Sequence, residues 1–454
     1  MSNIERKSLH GHWSSRLMFI LAVSGSAIGL GNIWKFPYIV GVNGGGAFVI
    51  VYLICIFSIG LPIMISEIMI GRKGRRNPIT SMKILGVEET GSSGWKIVGF
   101  IGLLAGFLIL SFYSVIAGWT FHYFLLTLQG LFIETNAIEV NTVFSQLTAS
   151  ISKQLIYHTV FMTLTVTIIS KGVKNGLEKA VYFMMPSLLI IMVILLYYSV
   201  TQGNFSEGLS FLFKPDFSII TPSAILVAMG HAFFTLSLGM GCVVMYGAYL
   251  QNHESIFKTS IIIVLCDTFI ALFAGLIIFP IVFANNLDPA AGPGLIFQTL
   301  PLAFGQIDGG ILFGALFFAL ISFAALTSAI SLLEPSVAWL IESTKINRLT
   351  AAILMGLLIW FMGLFTILSF NDLSNFTFWK GTIFDNIDFF ASNILLPISG
   401  LLFTIFTSWF MSNKSSKKEL QDTTILQYRI WQFLAKYIAP LAVIIILINF
   451  IGII

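Results

Sequence analysis

The stretch "SGSAIGLGNIWKFP", residues 24–37, decides the fold because it places helix-breaking and polar residues inside an apolar run. It holds four glycine or alanine residues, followed by Asn32, Lys35 and Pro37, and nothing from Leu17 to Trp34 is charged. Within a bilayer, non-helical backbone survives only where protein or a water-filled cavity satisfies its polar groups. We therefore expect a membrane helix that is interrupted at this point.

Composition places the whole chain in a membrane. Hydrophobic residues make up 57% of the 454 residues, charged residues make up 10%, and the mean hydropathy is +0.93. Soluble domains carry about 25% charged residues, and about 20 apolar residues suffice to cross the hydrocarbon core. The sequence predicts an all-α polytopic membrane protein. Its first apolar run lacks a small-residue cleavage site, so we do not interpret it as a signal peptide.

Breaks between the apolar runs predict eleven spans. Basic residues set the orientation, since cytoplasmic loops are enriched in Lys and Arg. With the N-terminus inside and the C-terminus outside, 20 of the 24 basic residues are cytoplasmic, and the net charge of +4 needs no nucleic-acid partner. The predicted spans are about 14–40, 46–70, 95–128, 155–171, 177–200, 222–250, 256–283, 309–342, 348–369, 389–411 and 432–453.

A second glycine-broken centre, "FFTLSLGMG" at residues 233–241, lies in the sixth span. The two breaks open two successive five-span blocks, at about 14–200 and 222–411, followed by an extra helix at about 432–453. Five is odd, so the second block enters the membrane from the opposite side, as in inverted-repeat transporters whose site lies between two broken helices. The alternative is that small residues only let helices pack closely. A site is favoured by the similar depth of three polar residues, Asn32, Thr235 and Ser237. We expect the whole chain, 1–454, to form one transmembrane domain.

Three further polar residues lie inside predicted spans. Thr327 and Ser328 are adjacent in "AALTSAIS"; they form either bonds to their own helix or part of an oxygen cage for a small cation. Asp267 is a carboxylate deep in a span, which by default indicates a functional site. The alternative is that it only binds a nearby hydroxyl or amide as a structural partner.

The three cysteines have no metal-ligand spacing, so we interpret them as buried thiols; they are Cys55, Cys242 and Cys266.

These features together resemble the bacterial neurotransmitter:sodium symporters of the LeuT-like, eleven-span type. The resemblance covers spans 1 to 10 and most of span 11. It is carried, in order, by "SRLMFILAVSGSAIGLGNIWKFPY", "NGGGAF", "GLPIMISEIMIGR", "FFTLSLGMG" and "FAALTSAISLLEP". It implies a 5+5 inverted repeat with broken helices 1 and 6, and sodium-coupled import by alternating access. No bond is made or broken, so we do not expect an enzyme.

The resemblance also implies two sodium sites. The second would use three carbonyls and two hydroxyls: Gly25, Ile28, Ala324, Thr327 and Ser328. The first would use a carbonyl and three side chains: Ala27, Asn32, Thr235 and Asp267. The family usually has asparagine where Asp267 stands. Because this carboxylate supplies negative charge directly, we predict no chloride requirement.

By the same resemblance, an amino acid would lie between the broken helices. Its carboxylate would meet Leu30, Gly31 and Tyr113, since helix N-termini favour anions. Carbonyls and hydroxyls would receive its ammonium: Ala27, Phe234, Thr235 and Ser237. Gly29 replaces the aspartate of monoamine transporters and favours a zwitterion. The remaining lining predicts a hydrophobic or aromatic L-amino acid, with plain core packing as the alternative for some members; it comprises Ile109, Tyr113, Phe234, Met240, Ser328 and Leu332.

Two gates complete the implied site. Outside, Lys35, where arginine is usual, would pair with Asp388 above Phe234. Inside, Trp13 would lie beside Tyr249. His10 and Glu342 would replace the usual arginine–aspartate pair, with Lys7 as an alternative cation, and a histidine here would make the gate pH-dependent. Two interpretations stay open for His231, which is either a neutral hydrogen-bonding residue or a proton carrier. Two also stay open for span 5, which Gly176 and Pro186 either unwind or only kink.

Two other functions stay open. A non-transporting amino-acid sensor would need a larger cytoplasmic region than the roughly twenty residues between spans 10 and 11. A proton-coupled permease would lack the paired hydroxyls at Thr327 and Ser328, although Asp267 and His231 keep it possible. We expect a monomer or weak homodimer in the inner (plasma) membrane, with lipid and an amino acid as partners.

Overall fold

The computed structural model describes residues 6–289 and 294–451 of the chain. These residues are almost entirely helical, and the strand-like pairing among them is limited to two isolated bridges. The first nine helices are α1 Arg16–Ala27, α2 Gly31–Val42, α3 Gly46–Gly74, α4 Pro78–Thr90, α5 Ser93–Leu128, α6 Ala137–Thr148, α7 Ile151–Ser170, α8 Val173–Gln202 and α9 Phe205–Phe213.

Further helices follow after a surface segment. They are α10 Pro222–Thr235, α11 Cys242–Ala248, α12 Ile256–Ala284, α13 Leu295–Gly305, α14 Gly310–Thr344, α15 Arg348–Ser369, α16 Ile383–Phe410, α17 Asn413–Glu419 and α18 Ile425–Phe450. The predicted bounds agree to within a few residues for most spans. The last two residues of the predicted final span, 432–453, lie outside the described part of the chain.

Many of these helices can cross a membrane. In the described ranges, eight are long and apolar enough: α3, α5, α8, α12, α14, α15, α16 and α18. The pair α1 and α2 passes the same test together, with a bend of 51° between them. The chain is therefore a multi-pass membrane protein. The other two predicted spans correspond to α7 and to the pair α10 and α11, which do not meet these criteria, so the count of eleven stays a prediction.

The backbone is interrupted at both glycine-rich stretches. Helix α1 ends at Ala27, and the next residue, Ile28, is extended (φ −71°, ψ 97°). Helix α10 ends at Thr235, and the following turn contains three left-handed residues: Ser237 (φ +52°), Gly239 (φ +75°) and Gly241 (φ +77°). Glycine adopts this conformation without strain, so the two glycines explain why the chain can turn here.

The two breaks lie in the interior, next to the most enclosed helix. In the most apolar 18-residue stretch of α14, 83% is buried, against 33% in the corresponding stretches of α8 and α18. Helix α14 packs against α5, α8 and α1, and its centre carries the polar residues Thr327 and Ser328. The less buried helices expose apolar side chains, as expected for surfaces that contact lipid.

Helix α8 remains helical through its glycine and proline. Its first turn, residues 173–178, is a wide π-type turn that contains Gly176, and Pro186 lies inside the following regular helix. A Cβ on Gly176 would approach the carbonyl oxygen of Ile168 to 2.0 Å, so close packing against α7 requires glycine here. Unwinding of this helix stays a prediction.

Candidate functional site

The break after α1 redirects two backbone N–H groups. In a continuous helix, Gly29 and Leu30 would donate to the carbonyls four residues earlier. Instead, the Gly29 N–H donates to Oδ1 of Asn32 (3.2 Å), and the Leu30 N–H donates to the Tyr113 hydroxyl (3.4 Å). The carbonyls of Gly25 and Ser26 are thereby released to face other partners.

The Ser26 carbonyl accepts two side-chain hydroxyls. Ser237, from the turn after α10, donates to it at 2.9 Å, and Ser328, from α14, donates to it at 3.0 Å. Two side chains that lie 211 and 302 residues from Ser26 in the sequence thus meet at its buried carbonyl oxygen. The juxtaposition brings together the two glycine-rich stretches and the hydroxyl pair of α14.

Three of the four residues expected for the first sodium site touch one another. The Asp267 side chain is fully buried, and Nδ2 of Asn32 donates to its Oδ1 (2.7 Å) and to its backbone carbonyl (3.2 Å). The Thr235 hydroxyl donates to both carboxylate oxygens (3.3 and 3.2 Å). The fourth residue, Ala27, lies in the break and is 4% exposed. The cluster is a buried carboxylate with amide and hydroxyl neighbours, which suits a monovalent cation.

The residues expected for the second sodium site separate into two groups. The Thr327 hydroxyl donates to its own helix at Ala324 (2.9 Å), and a Cβ on Gly25 would lie 3.4 Å from the Cβ of Thr327. Gly25, Ala324 and Thr327 therefore lie together, and Ile28 is buried in the adjacent break. The hydroxyl of Ser328 donates in another direction, to the Ser26 carbonyl.

The neighbourhood of Gly29 is closed to any side chain. A Cβ there would lie 2.4 Å from the Ser328 hydroxyl oxygen and 3.0 Å from that of Tyr113. Gly31 packs against the ring of Phe234, with its Cβ position 3.4 Å from a ring carbon. The two glycines let the broken backbone approach α5, α10 and α14 closely.

Apolar side chains line the space beside the breaks. A Cβ on Gly106 of α5 would lie 2.9 Å from the Met240 carbonyl oxygen and 3.6 Å from the Leu332 side chain. Met240, Leu332, Ile109 and Tyr113 are each at most 5% exposed. Phe234 is half-buried above them. The arrangement provides an apolar wall next to the polar groups of the two breaks.

The expected outer pair is not formed in this structure. The Lys35 ammonium lies 4.3 Å from the centroid of the Phe234 ring, a cation–π contact. Lys35 and Asp388 are not within ion-pair distance, although Asp388 acts on Lys35 electrostatically. The Asp388 carboxylate instead accepts the Ser392 hydroxyl (2.8 Å). The gating role of the pair stays a prediction.

The expected inner pair is formed. Nε2 of His10 lies 3.0 Å from Oε1 of Glu342, and both side chains are 5% exposed. Asn77 donates to Glu342 from its backbone N–H (2.9 Å) and from Nδ2 (2.6 Å). Lys7 does not replace His10; its backbone carbonyl accepts a bond from Arg76.

Trp13 closes the same face and is 1% exposed. Its indole N–H donates to the Tyr246 carbonyl (3.1 Å), its backbone N–H donates to the Tyr249 carbonyl (3.1 Å), and its ring lies 5.9 Å from that of Tyr249. Gln251 donates to the Trp13 carbonyl (2.9 Å). The segment before α1 is therefore held tightly against α11 and the residues that follow it.

Sequence reasoning missed two buried carboxylates. Oε1 of Glu67, in α3, accepts the Gly239 N–H (2.6 Å) from the turn after α10. Glu334, in α14, accepts the Tyr249 hydroxyl (2.5 Å) and a bond from Arg348. Both acids stand inside predicted spans, and an ionisable residue at such depth was the signal that could have found them.

His231 lies at the side of the first cluster. Its ring stacks on Phe36 (5.9 Å between centroids) and is tilted against Tyr52 (5.5 Å). Among the described residues, neither of its ring nitrogens has a hydrogen-bond partner. Both interpretations of this histidine, neutral or proton-carrying, remain predictions.

Comparison with known proteins gives consistent matches over nearly the whole chain. The model of the sodium:neurotransmitter symporter family matches residues 10–142 and 128–453. YhdH of Bacillus subtilis (strain 168), an uncharacterized sodium-dependent transporter, is 38% identical over 444 residues, covering 97% of this chain and 98% of the relative. A sodium-dependent transporter of Haemophilus influenzae is 36% identical, covering 96% of this chain and 97% of the relative.

A solved structure matches equally well. The crystal structure of MhsT in complex with L-phenylalanine superposes with a TM-score of 0.88 at 40% identity, covering 97% of this chain and 99% of that chain. The fold is therefore that of the LeuT-like transporters, and the family resemblance of the sequence motifs is confirmed. With its broken helices, its buried polar centre and these matches, the chain belongs to the sodium:neurotransmitter symporter family.

Proposed function

We propose that this protein imports a hydrophobic or aromatic L-amino acid together with two sodium ions, without chloride, by alternating access across the inner (plasma) membrane. Two inverted five-span repeats and one further span, eleven in all, would place the N-terminus in the cytoplasm and the C-terminus outside. The observation that carries the proposal is the buried set of Asn32, Thr235 and Asp267 at the meeting point of both breaks.

The charge of Asp267 supports independence from chloride. A sodium ion in this low-dielectric interior needs negative charge nearby, since the cost of an unpaired buried charge is high. The Asp267 carboxylate, held by Asn32 and Thr235, would supply that charge from the protein itself. No anion from solution is then required to balance the ion.

The space around Gly29 supports an α-amino acid. The absence of a side chain at residue 29 leaves the polar groups of the breaks to bind both charges of a zwitterion. The apolar lining by Ile109, Met240 and Leu332 favours a hydrophobic side chain. MhsT, which shares 40% identity with this chain, is known with L-phenylalanine bound, and we extend an aromatic substrate from it to this protein.

The gates support alternating access. Trp13 and the paired side chains of His10 and Glu342 are nearly inaccessible and would form the closed inner gate, while Phe234 and Lys35, which would form the outer gate, are only half-buried. Substrate and sodium would enter from outside, the outer gate would shut, and the inner contacts would then separate. Release of the second sodium ion near Thr327 would precede release of the amino acid.

Reconstituted uptake tests the proposal. Full-length protein in liposomes takes up labelled L-phenylalanine, with a panel of other amino acids as competitors, under an imposed gradient of sodium, potassium or protons. We expect uptake only with sodium, and the same rate when gluconate replaces chloride. Uptake that persists without sodium and follows the proton gradient would favour the permease instead, and binding without any uptake would favour a sensor.

A further inference from the structure

Resting on the proposed function, we propose that Ser26 is a positioning residue for both kinds of cation. Its carbonyl takes up the hydroxyl hydrogens of Ser237 and Ser328, so that the oxygens of these side chains turn their lone pairs toward the substrate ammonium and toward sodium. Ser26 itself would bind neither cation. Its own side chain would fix the carbonyl in place.

The need for such a group follows from hydroxyl chemistry. A serine hydroxyl has one hydrogen and two lone pairs, and only the lone pairs can face a cation. The hydrogen must therefore point at another acceptor. A serine or threonine on a helix normally uses a carbonyl of its own helix, as Thr327 does at Ala324 (2.9 Å).

Neither of the two serines uses its own helix. Ser237 lies in the turn after α10 with φ +52°, where no regular helix carbonyl is in place. Ser328 is on α14, yet its hydroxyl donates to Ser26 at 3.0 Å. Both hydrogens are thus accepted by one oxygen with two lone pairs, which fills the accepting capacity of that carbonyl.

The Ser26 carbonyl is available because its helical donor is taken away. The Leu30 N–H donates to Tyr113, as described above. The position of the carbonyl is then fixed by the Ser26 side chain, whose hydroxyl donates to the Ser331 hydroxyl (2.7 Å). Ser331 in turn donates to the Ser328 carbonyl (2.7 Å).

The result is a closed pair of links between α1 and α14. One link runs from the Ser26 hydroxyl through Ser331 to the Ser328 carbonyl, and the other runs from the Ser328 hydroxyl back to the Ser26 carbonyl. Ser26 and Ser331 are 1% and 0% exposed, so bulk water does not compete for these bonds. Because one carbonyl orients both hydroxyls, loosening it weakens the sodium and the amino-acid sites together.

The test removes the tie and leaves the carbonyl in place. Full-length wild type, Ser26→Ala, Ser331→Ala and the double variant are reconstituted in nanodiscs. The first readout, without amino acid, is the sodium concentration that gives half of the maximal thermal protection. The second is L-phenylalanine binding at fixed sodium. We expect both half-saturating concentrations to rise roughly three- to tenfold, the effect of one lost hydrogen bond.

The pattern among variants separates positioning from general stability. The double variant should bind sodium and L-phenylalanine as well as the single variant with the lower affinity does. The reason is that Ser26→Ala and Ser331→Ala each remove the bond between the two hydroxyls. Ser26→Thr, which keeps the hydroxyl, should restore sodium protection. The matched control is Ser322→Ala, on the same helix, where the lost hydroxyl contact is with Thr120 (2.8 Å) outside the site.

The inference would be overturned if the half-saturating concentrations of sodium and of L-phenylalanine were unchanged in both single variants. This holds even if the unfolding temperatures of the variants fell. If only one single variant folds, that variant decides the question by itself. Failure of the proposed function looks different, because the wild type would then gain no stability from sodium over potassium.

Discussion

Nε2 of His10 lies 3.0 Å from Oε1 of Glu342, joining the segment before α1 to the end of α14. Asn77, the N-cap of α4, holds the same carboxylate with two further bonds. One carboxylate thus joins the segment before α1, the start of α4 and the end of α14.

The first prediction concerns the contact between His10 and Glu342. His10→Ala would leave the Glu342 carboxylate with only its two bonds from Asn77, so the segment before α1 should separate from α14 more readily and substrate release should quicken. Uptake into proteoliposomes and efflux from them measure this, and His253→Ala, at an exposed side chain, is the control. Equal rates in wild type and His10→Ala would contradict a gating role for the contact.

Asp267→Asn should make transport depend on chloride, because the chloride ion would replace the charge of the lost carboxylate. The substitution keeps the shape of the side chain and removes the charge that faces Asn32 and Thr235. We expect the sodium requirement to rise roughly tenfold or more in gluconate, with partial recovery in chloride, because a buried cation needs a counter-charge. Uptake that is the same for wild type and variant in chloride-free buffer would contradict the role assigned to Asp267.

Thr327→Ala tests the second sodium site with a close control. Thr327 and Thr404 are both buried, and each donates its hydroxyl to its own helix, to Ala324 (2.9 Å) and Gly400 (2.8 Å) respectively. If Thr327 binds sodium, its loss should raise the half-saturating sodium concentration for uptake by roughly tenfold or more. Thr404→Ala should behave like wild type. Equal effects of the two changes would reduce Thr327 to a structural residue.

Glu67→Ala should destabilise the turn after α10. It would leave the Gly239 N–H without its carboxylate acceptor in a dry interior, at a cost of about 1–3 kcal/mol. Glu67→Gln retains an acceptor and should lose much less. Unfolding of the purified protein in detergent measures both variants. An unchanged midpoint in the alanine variant would mean that another group can take over the Gly239 bond.

Gly29→Ala should abolish amino-acid binding for steric reasons. Its Cβ would enter the space of the Ser328 and Tyr113 hydroxyls, at 2.4 and 3.0 Å. Gly230→Ala is the control, since the nearest atom to that Cβ, on Phe450, is 3.8 Å away. The control should keep binding and gain roughly 0.5–1 kcal/mol of stability from the better helix former. Binding measurements with L-phenylalanine decide between these outcomes, and retained binding in Gly29→Ala would show that α14 can retreat.

Local chemistry made the two breaks predictable. Glycines close to the polar residues Asn32 and Ser237 weaken the helix inside two apolar runs. The helix is interrupted at both places. The meeting of His10 with Glu342, 332 residues apart, followed from the family resemblance; the spacing of the residues does not contain it.

Other details depend on side-chain direction, which sequence does not fix. Adjacent residues on a helix point about 100° apart. Thr327 and Ser328 therefore have different nearest neighbours, and here these are Gly25 and Ser26. Lys35 likewise has two partners within reach, and in this structure its ammonium lies over the ring of Phe234.

Several bonds that hold the segment around Trp13 use main-chain atoms of that segment. Its N–H and carbonyl bond to Tyr249 and Gln251, and the N–H of the next residue, Ser14, donates to Glu178 at 2.6 Å. Only a substitution by proline removes a peptide N–H, and no substitution removes a peptide carbonyl. Other single substitutions in this segment should therefore leave these three bonds in place, so the position of the chain before α1 should tolerate changes of its own side chains.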